Sequence, residues 1–116
     1  MRKIMKSFLF AFKGLAYAFK TQLNFRIHCF FTVAAVVLGL YAQLNFSEWL
    51  WISLAIALVI ILELINTAIE VLVDLISPEQ NFKAGSIKDL SAAAVLVAGL
   101  FALVVGLIIF VPKLFS

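Results

Sequence analysis

Residues 62–74 read Leu62-Glu63-Leu64-Ile65-Asn66-Thr67-Ala68-Ile69-Glu70-Val71-Leu72-Val73-Asp74, and this stretch decides how the rest of the chain must be placed. It continues an apolar run that begins at Trp49, so it reads as the far end of one long helix. At about 100° per residue, with Glu63 at zero, Asn66 falls near −60°, Glu70 near −20° and Asp74 near +20°. Three carboxylates and an amide thus share a stripe roughly 80° wide on an otherwise apolar rod. Acyl chains cannot solvate such a stripe, so it must face protein, water, a metal or a substrate.

The totals agree with a membrane setting. Of 116 residues, 66% are hydrophobic and 13% charged, and the mean hydropathy of +1.18 belongs to an all-α integral membrane protein, read here as one domain over 1–116. The net charge of +3 is unevenly spread. Arg2, Lys3, Lys6, Lys13, Lys20 and Arg26 come first, and no acid precedes Glu48. A basic end on an apolar body points to anionic lipid headgroups and away from nucleic acid. Cys29 is the only cysteine, so there is no disulfide framework and no zinc spacing. No cleavable leader is read: the apolar run after Arg26 starts too late and lacks a small-residue cleavage site.

In chain order, residues 3–20 form an amphipathic helix with Lys6, Lys13 and Lys20 on one side and Ile4, Phe8, Leu9, Phe12, Leu15 and Phe19 on the other. This is the pattern of a helix lying in the membrane interface. Spans are expected at about 27–44, 49–76 and 90–111. Ser47-Glu48 is the expected helix cap before the second span, and Trp49 and Trp51 the interfacial aromatic belt. The second span would be about 42 Å long against a hydrocarbon core of ~30 Å, so one end projects. Glu63 then lies about 21 Å beyond Trp49, still inside the far boundary, with Glu70 and Asp74 at headgroup level. Ser77-Pro78 stops this helix, 77–87 is read as a polar loop, and Pro112-Lys113 ends the third span. Ala92, Gly99 and Gly106 make a small-residue face on that span, suited to close helix packing. The basic residues place the N-terminus and the 77–88 loop in the cytoplasm, on the side that holds ATP.

Carboxylates and an amide at one membrane face offer hard oxygen ligands to a divalent cation, and a nearby lysine can neutralise phosphate oxygens. A carboxylate at headgroup depth is placed to take a proton from a lipid hydroxyl. There is no Gly-rich phosphate loop. Interhelical polar contacts alone, or an ion pathway, are the other readings of the stripe; the uncharged segments Cys29–Leu44 and Leu90–Val111 weigh against a pathway across the bilayer.

The run from Glu63 through Asn66 and Glu70 to Asp74, followed by Lys88-Asp89-Leu-Ser-Ala-Ala-Ala-Val, closely resembles the prokaryotic diacylglycerol kinase family, which includes undecaprenol kinases. Phe12-Lys13-Gly14-Leu15 and Asn24-Phe25-Arg26-Ile27-His28 extend the likeness over nearly the whole chain. The resemblance implies a homotrimer of three-span subunits with a surface helix, sites shared between neighbours, and transfer of phosphate from MgATP to a lipid hydroxyl in the bacterial cytoplasmic membrane. It makes Glu63 the catalytic base with Asn66 beside it, and Glu70 a ligand to Mg²⁺ that also meets ATP. It makes Lys88, Asp89, Lys3, Phe10, Glu79, Gln80 and Asn81 ATP contacts, and Asn24, Phe25, Arg26, Ile27, His28 and Trp49 contacts of the lipid substrate. One position departs from the pattern: Gln22 stands where the family usually has a second metal-binding glutamate. An amide oxygen can coordinate but brings no charge, so metal should be held less firmly. The alternative is a weakened or inactive member that persists as a structural or lipid-binding protein. The residues do not choose between diacylglycerol and undecaprenol.

Overall fold

The computed structural model describes all 116 residues as four helices, α1 (Arg2–Thr21), α2 (Leu23–Ala42), α3 (Phe46–Ile76) and α4 (Phe82–Leu114). The last three are each long and apolar enough to cross a membrane. At 31 and 33 residues, α3 and α4 run to about 46 and 50 Å, well beyond a ~30 Å hydrocarbon layer. The slab they form with α2 is only 21 Å thin along its shortest axis, roughly two helix diameters. α3 packs along α4 and against α2, and α1 folds back on α2 and touches α3.

Three boundaries differ from the sequence expectation, because hydropathy reports membrane depth whereas helices end where backbone hydrogen bonds find other partners. The cap of α3 is Asn45, not Ser47. Its side chain accepts from the Glu48 N–H at 2.9 Å while Glu48 Oε1 accepts from the Asn45 N–H at 3.0 Å, a reciprocal capping box. The polar loop shrinks to residues 77–81, because Asn81 caps α4 by accepting from the Ala84 N–H at 2.8 Å. Lys88 and Asp89 consequently lie inside α4, in its second turn, rather than at its start. At the other end the helix runs through Pro112 to Leu114. Proline lacks an N–H, so only the Ile108 carbonyl loses its partner, a tolerable loss in the last turn.

The apolar core gathers at one end of the bundle. Leu44, Ile52, Ala55, Val105 and Ile109 are buried together, with Trp49, Phe101 and Phe110 packed around them. Trp49 packs closely on Gly39: a Cβ there would come within 2.7 Å of the indole. α2 ends with Gln43 in the left-handed region at φ 53°, which costs a non-glycine residue about 1–2 kcal/mol. The turn is held by the Leu44 N–H donating to the Gly39 carbonyl at 3.2 Å, and by Lys113 from α4. Lys113 Nζ reaches Glu48 Oε1 at 2.8 Å and the Gln43 carbonyl at 3.4 Å. On the small-residue face of α4, a methyl group added at Gly99 or Gly106 would meet nothing of this chain within 4 Å, and both glycines line an open groove.

Candidate active site

The opposite end of the bundle is polar inside. Glu63 is 2% exposed and Asn66 7%, so the stripe that 3.6-residue periodicity defines turns into the protein rather than toward lipid. Asp74, three turns on, is exposed. Asn66 joins two helices: its Nδ2 donates to Glu70 Oε1 at 3.1 Å, and its Oδ1 accepts from the Ser91 hydroxyl on α4 at 2.6 Å. Ser91 also reaches the Lys88 carbonyl at 3.0 Å. Thr67 donates to the Glu63 main-chain carbonyl at 3.0 Å. From α2, His28 Nε2 stands 3.7 Å from Glu63 Oε2.

Ser91 escaped the sequence reading. The signal was there: it is the only polar side chain between Leu90 and Val111. An isolated hydroxyl near the start of an apolar helix needs a partner, and Asn66 is that partner. The closeness of His28 to Glu63 was also hidden, since nothing in the spacing registers α2 against α3.

The remaining predicted site residues fall into three groups. Glu70 is half-buried, and Lys88 and Asp89 lie on the nearby start of α4. Lys88 Nζ pairs with Asp74 Oδ1 at 2.6 Å across the α3–α4 loop. With both side chains well exposed such a pair contributes only about 0–1 kcal/mol, so Lys88 is easily drawn to a phosphate. Asp89 makes no ion pair, and Glu79, Gln80 and Asn81 form the exposed loop beside it. Gln22 is the single extended residue between α1 and α2, and its side chain caps neither helix. Asn24 and Ile27 are exposed on the first turns of α2, and Lys3 and Phe10 on α1, with no contact tying them to Glu63.

Three residues expected to meet the lipid make contacts within the chain. The Phe25 ring is 3% exposed and serves packing. The Arg26 guanidinium turns back to donate to the Phe19 and Lys20 carbonyls at 2.7 and 3.2 Å. There it satisfies carbonyls that a helix terminus leaves unpaired and fixes the α1–α2 elbow. Trp49 lies at the far end of α3, on Gly39, about 21 Å along the helix from Glu63.

An apolar groove of about 410 Å³ runs from His28 along the bundle, walled by α2, α3 and α4 and floored by Gly99, Ala102 and Gly106. That volume lies in the ~300–1,000 Å³ range of small-molecule sites. The site therefore has an apolar slot that ends at His28, 3.7 Å from the buried Glu63 carboxylate, with half-exposed Glu70 and Lys88 nearby on α3 and α4. No three histidine, cysteine or acidic side chains cluster as a ready metal cage. Mg²⁺ does not ask for one: it keeps several waters and is commonly held by one or two carboxylates plus nucleotide phosphates. Glu70, with one oxygen on Asn66 and its surface half open, fits that role.

The chain is similar to known proteins over most of its length. The family description prokaryotic diacylglycerol kinase matches residues 9–110. An undecaprenol kinase of Bacillus subtilis is 38% identical over 114 residues, covering 98% of this chain and 93% of the relative. A diacylglycerol kinase of Synechocystis is 40% identical over 114 residues, 97% of this chain but 65% of that longer protein. The diacylglycerol kinase of Escherichia coli is 31% identical over 102 residues, 88% of this chain and 84% of its own length. With its three apolar helices and a match over most of its length, the chain belongs to the prokaryotic diacylglycerol kinase family and is an enzyme of that kinase class.

Proposed function

We propose that the protein transfers the γ-phosphate of MgATP to the hydroxyl of a long-chain membrane lipid, of the diacylglycerol or undecaprenol kind. The observation that carries this reading is the pairing of a buried Glu63 with an apolar groove that begins at His28, 3.7 Å away. The acceptor's tail lies along Gly99, Ala102 and Gly106, and its hydroxyl comes to Glu63. ATP lies on the polar side, by Glu70, Lys88, Asp89 and the 79–81 loop. Lys3 and Phe10 on α1 complete its seat.

Glu63 accepts the hydroxyl proton as the oxygen attacks the γ-phosphorus, the bond to the bridging β-phosphate oxygen breaks, and ADP leaves. Lys88 exchanges Asp74 for the transferring phosphoryl oxygens. Asn66, fixed between Glu70 and Ser91, holds both carboxylates in register. Glu70 and Gln22 are the residues that would hold Mg²⁺, which supplies charge neutralisation on the phosphates when bound. Holding alcohol and nucleotide together in one membrane site supplies proximity, which with electrostatic stabilisation is most of what such a transfer needs.

The same reading sets the surroundings. α1 lies in the interface with Lys6, Lys13 and Lys20 toward headgroups, and the Glu63 end faces the cytoplasm of a bacterium. The exposed apolar faces and the thin slab support assembly with further copies, a homotrimer in the resemblance, so that nucleotide contacts on α1 reach a neighbour's site.

The test is transfer of labelled γ-phosphate by purified protein in lipid nanodiscs, with diacylglycerol and undecaprenol in competition. Labelled lipid, lost on Glu63→Gln, is expected. ATP turnover without labelled lipid, or no turnover at all as the inactive-member reading requires, would overturn the proposal.

A further inference from the structure

A base buried to 2% exposure must lose its proton before it can act again, and few neighbours can take it. Asn66 is spent on Glu70 and Ser91, and an amide does not accept a proton at ordinary pH. The Thr67 hydroxyl is turned to the main-chain carbonyl of Glu63. Lys88 and Arg26, both cationic, are held by Asp74 and by the carbonyls of α1. That leaves the chain's single histidine. Its Nε2 stands 3.7 Å from Glu63 Oε2, and its side chain is 26% exposed, so it stands between the buried acid and the open mouth of the groove. The charged groups near it are Glu63 on α3 and, two residues before it on its own helix, Arg26, which is turned to the carbonyls of α1. α4 lines the groove below it with Gly99, Ala102 and Leu103, and no side chain of α1 pairs with it.

We propose that His28 is the proton exit of the reaction, acting through Glu63 and not on the phosphate; this rests on the kinase reading above. The alcohol O–H bond breaks and its proton goes to the Glu63 carboxylate as the new P–O bond forms and ADP departs. The Glu63 carboxylic acid then gives that proton to His28 Nε2. The resulting imidazolium loses the proton on Nδ1 to water at the rim, and the ring returns to its neutral form by exchanging tautomers. An imidazole does this because one nitrogen accepts while the other releases. The sum is one proton delivered to solvent per phosphate transferred, with both side chains reset.

The experiment is chemical rescue. In His28→Ala, steady turnover should fall about 10- to 100-fold, at or below the usual range for a positioned acid–base group. Added imidazole should restore steady turnover in a concentration-dependent way, and more basic imidazoles should restore more. His28→Gln keeps size and polarity without a titrating nitrogen, so it should behave as His28→Ala; it also serves if the alanine variant does not assemble. Wild-type turnover in either variant overturns the proposal. So does a slow His28→Ala that imidazole leaves slow, and so does full activity of His28→Gln beside a slow His28→Ala, which marks a packing role. A wild-type protein that labels no lipid overturns the kinase reading and this inference with it, whereas failed rescue in an active enzyme overturns this inference alone.

Discussion

The two ends of the bundle are built from the same three helices by opposite rules. At the Trp49 end, small and large apolar residues interlock: indole on Gly39, and Leu44 over Ile52, Ala55, Val105 and Ile109. Its charged groups are committed, with Asn45, Glu48, Lys113 and the Gln43 carbonyl closed into one latch. At the Glu63 end the polar groups are only partly committed. Glu63 Oε2 lies 3.7 Å from His28, beyond hydrogen-bond reach, Glu70 has an oxygen to spare, Lys88 is in a weak exposed pair, and Gln22 caps nothing. Saturated polar groups hold a fold; groups with spare valence bind and react. The contrast is what marks one end as scaffold and the other as site.

Several substitutions would break or sharpen that contrast. The largest effect expected is from Lys88→Met, which removes a cation from the transferring phosphoryl group. Turnover should fall about 10²-fold, the scale for losing one preorganised electrostatic contact. The thermal midpoint should hardly move, because the Asp74 pair it also loses is exposed; a midpoint that drops while turnover holds would assign Lys88 to structure. At the other end, Gly39→Leu drives a side chain into the indole and should cost about 1–3 kcal/mol, read as a lower unfolding midpoint with normal turnover per folded protein. Ser91→Ala leaves Asn66 Oδ1 unpaired and should cost about 1–2 kcal/mol. It should also reduce kcat, since Asn66 holds the carboxylates; an unchanged kcat would restrict Ser91 to packing. The smallest effect is from Gln22→Glu, which should lower the Mg²⁺ concentration needed for half-maximal activity, as a second charge joins Glu70. An unchanged Mg²⁺ dependence would remove Gln22 from the metal's surroundings.

Much of this was legible in the chain. The stripe of Glu63, Asn66, Glu70 and Asp74 follows from helical periodicity alone, and the structure turns its first members inward as burial energetics demands. Three long apolar helices could be read from hydropathy, and the family from the motif around Glu63 and Lys88. What stayed hidden depends on partners distant in sequence. Asn81 begins α4 eight residues before the apolar run does, because a cap is a hydrogen bond and hydropathy does not register it. Lys88 finds Asp74 only once the loop is short. Arg26 reaches the terminal carbonyls of α1 and Trp49 packs on Gly39, contacts that no spacing in the sequence registers. The glycines of α4 read as a packing seam, and within one chain they line a groove between α2, α3 and α4.

The most direct test compares two glutamates on one helix, Glu63→Gln and Glu48→Gln, by phosphate transfer to lipid and by thermal unfolding of the same samples. Glutamine preserves the volume at both sites, and at 48 it still serves the capping box while losing the charge that meets Lys113. The account predicts that Glu63→Gln unfolds like the parent and transfers almost nothing, while Glu48→Gln transfers normally and unfolds slightly earlier. Normal transfer by Glu63→Gln would contradict it.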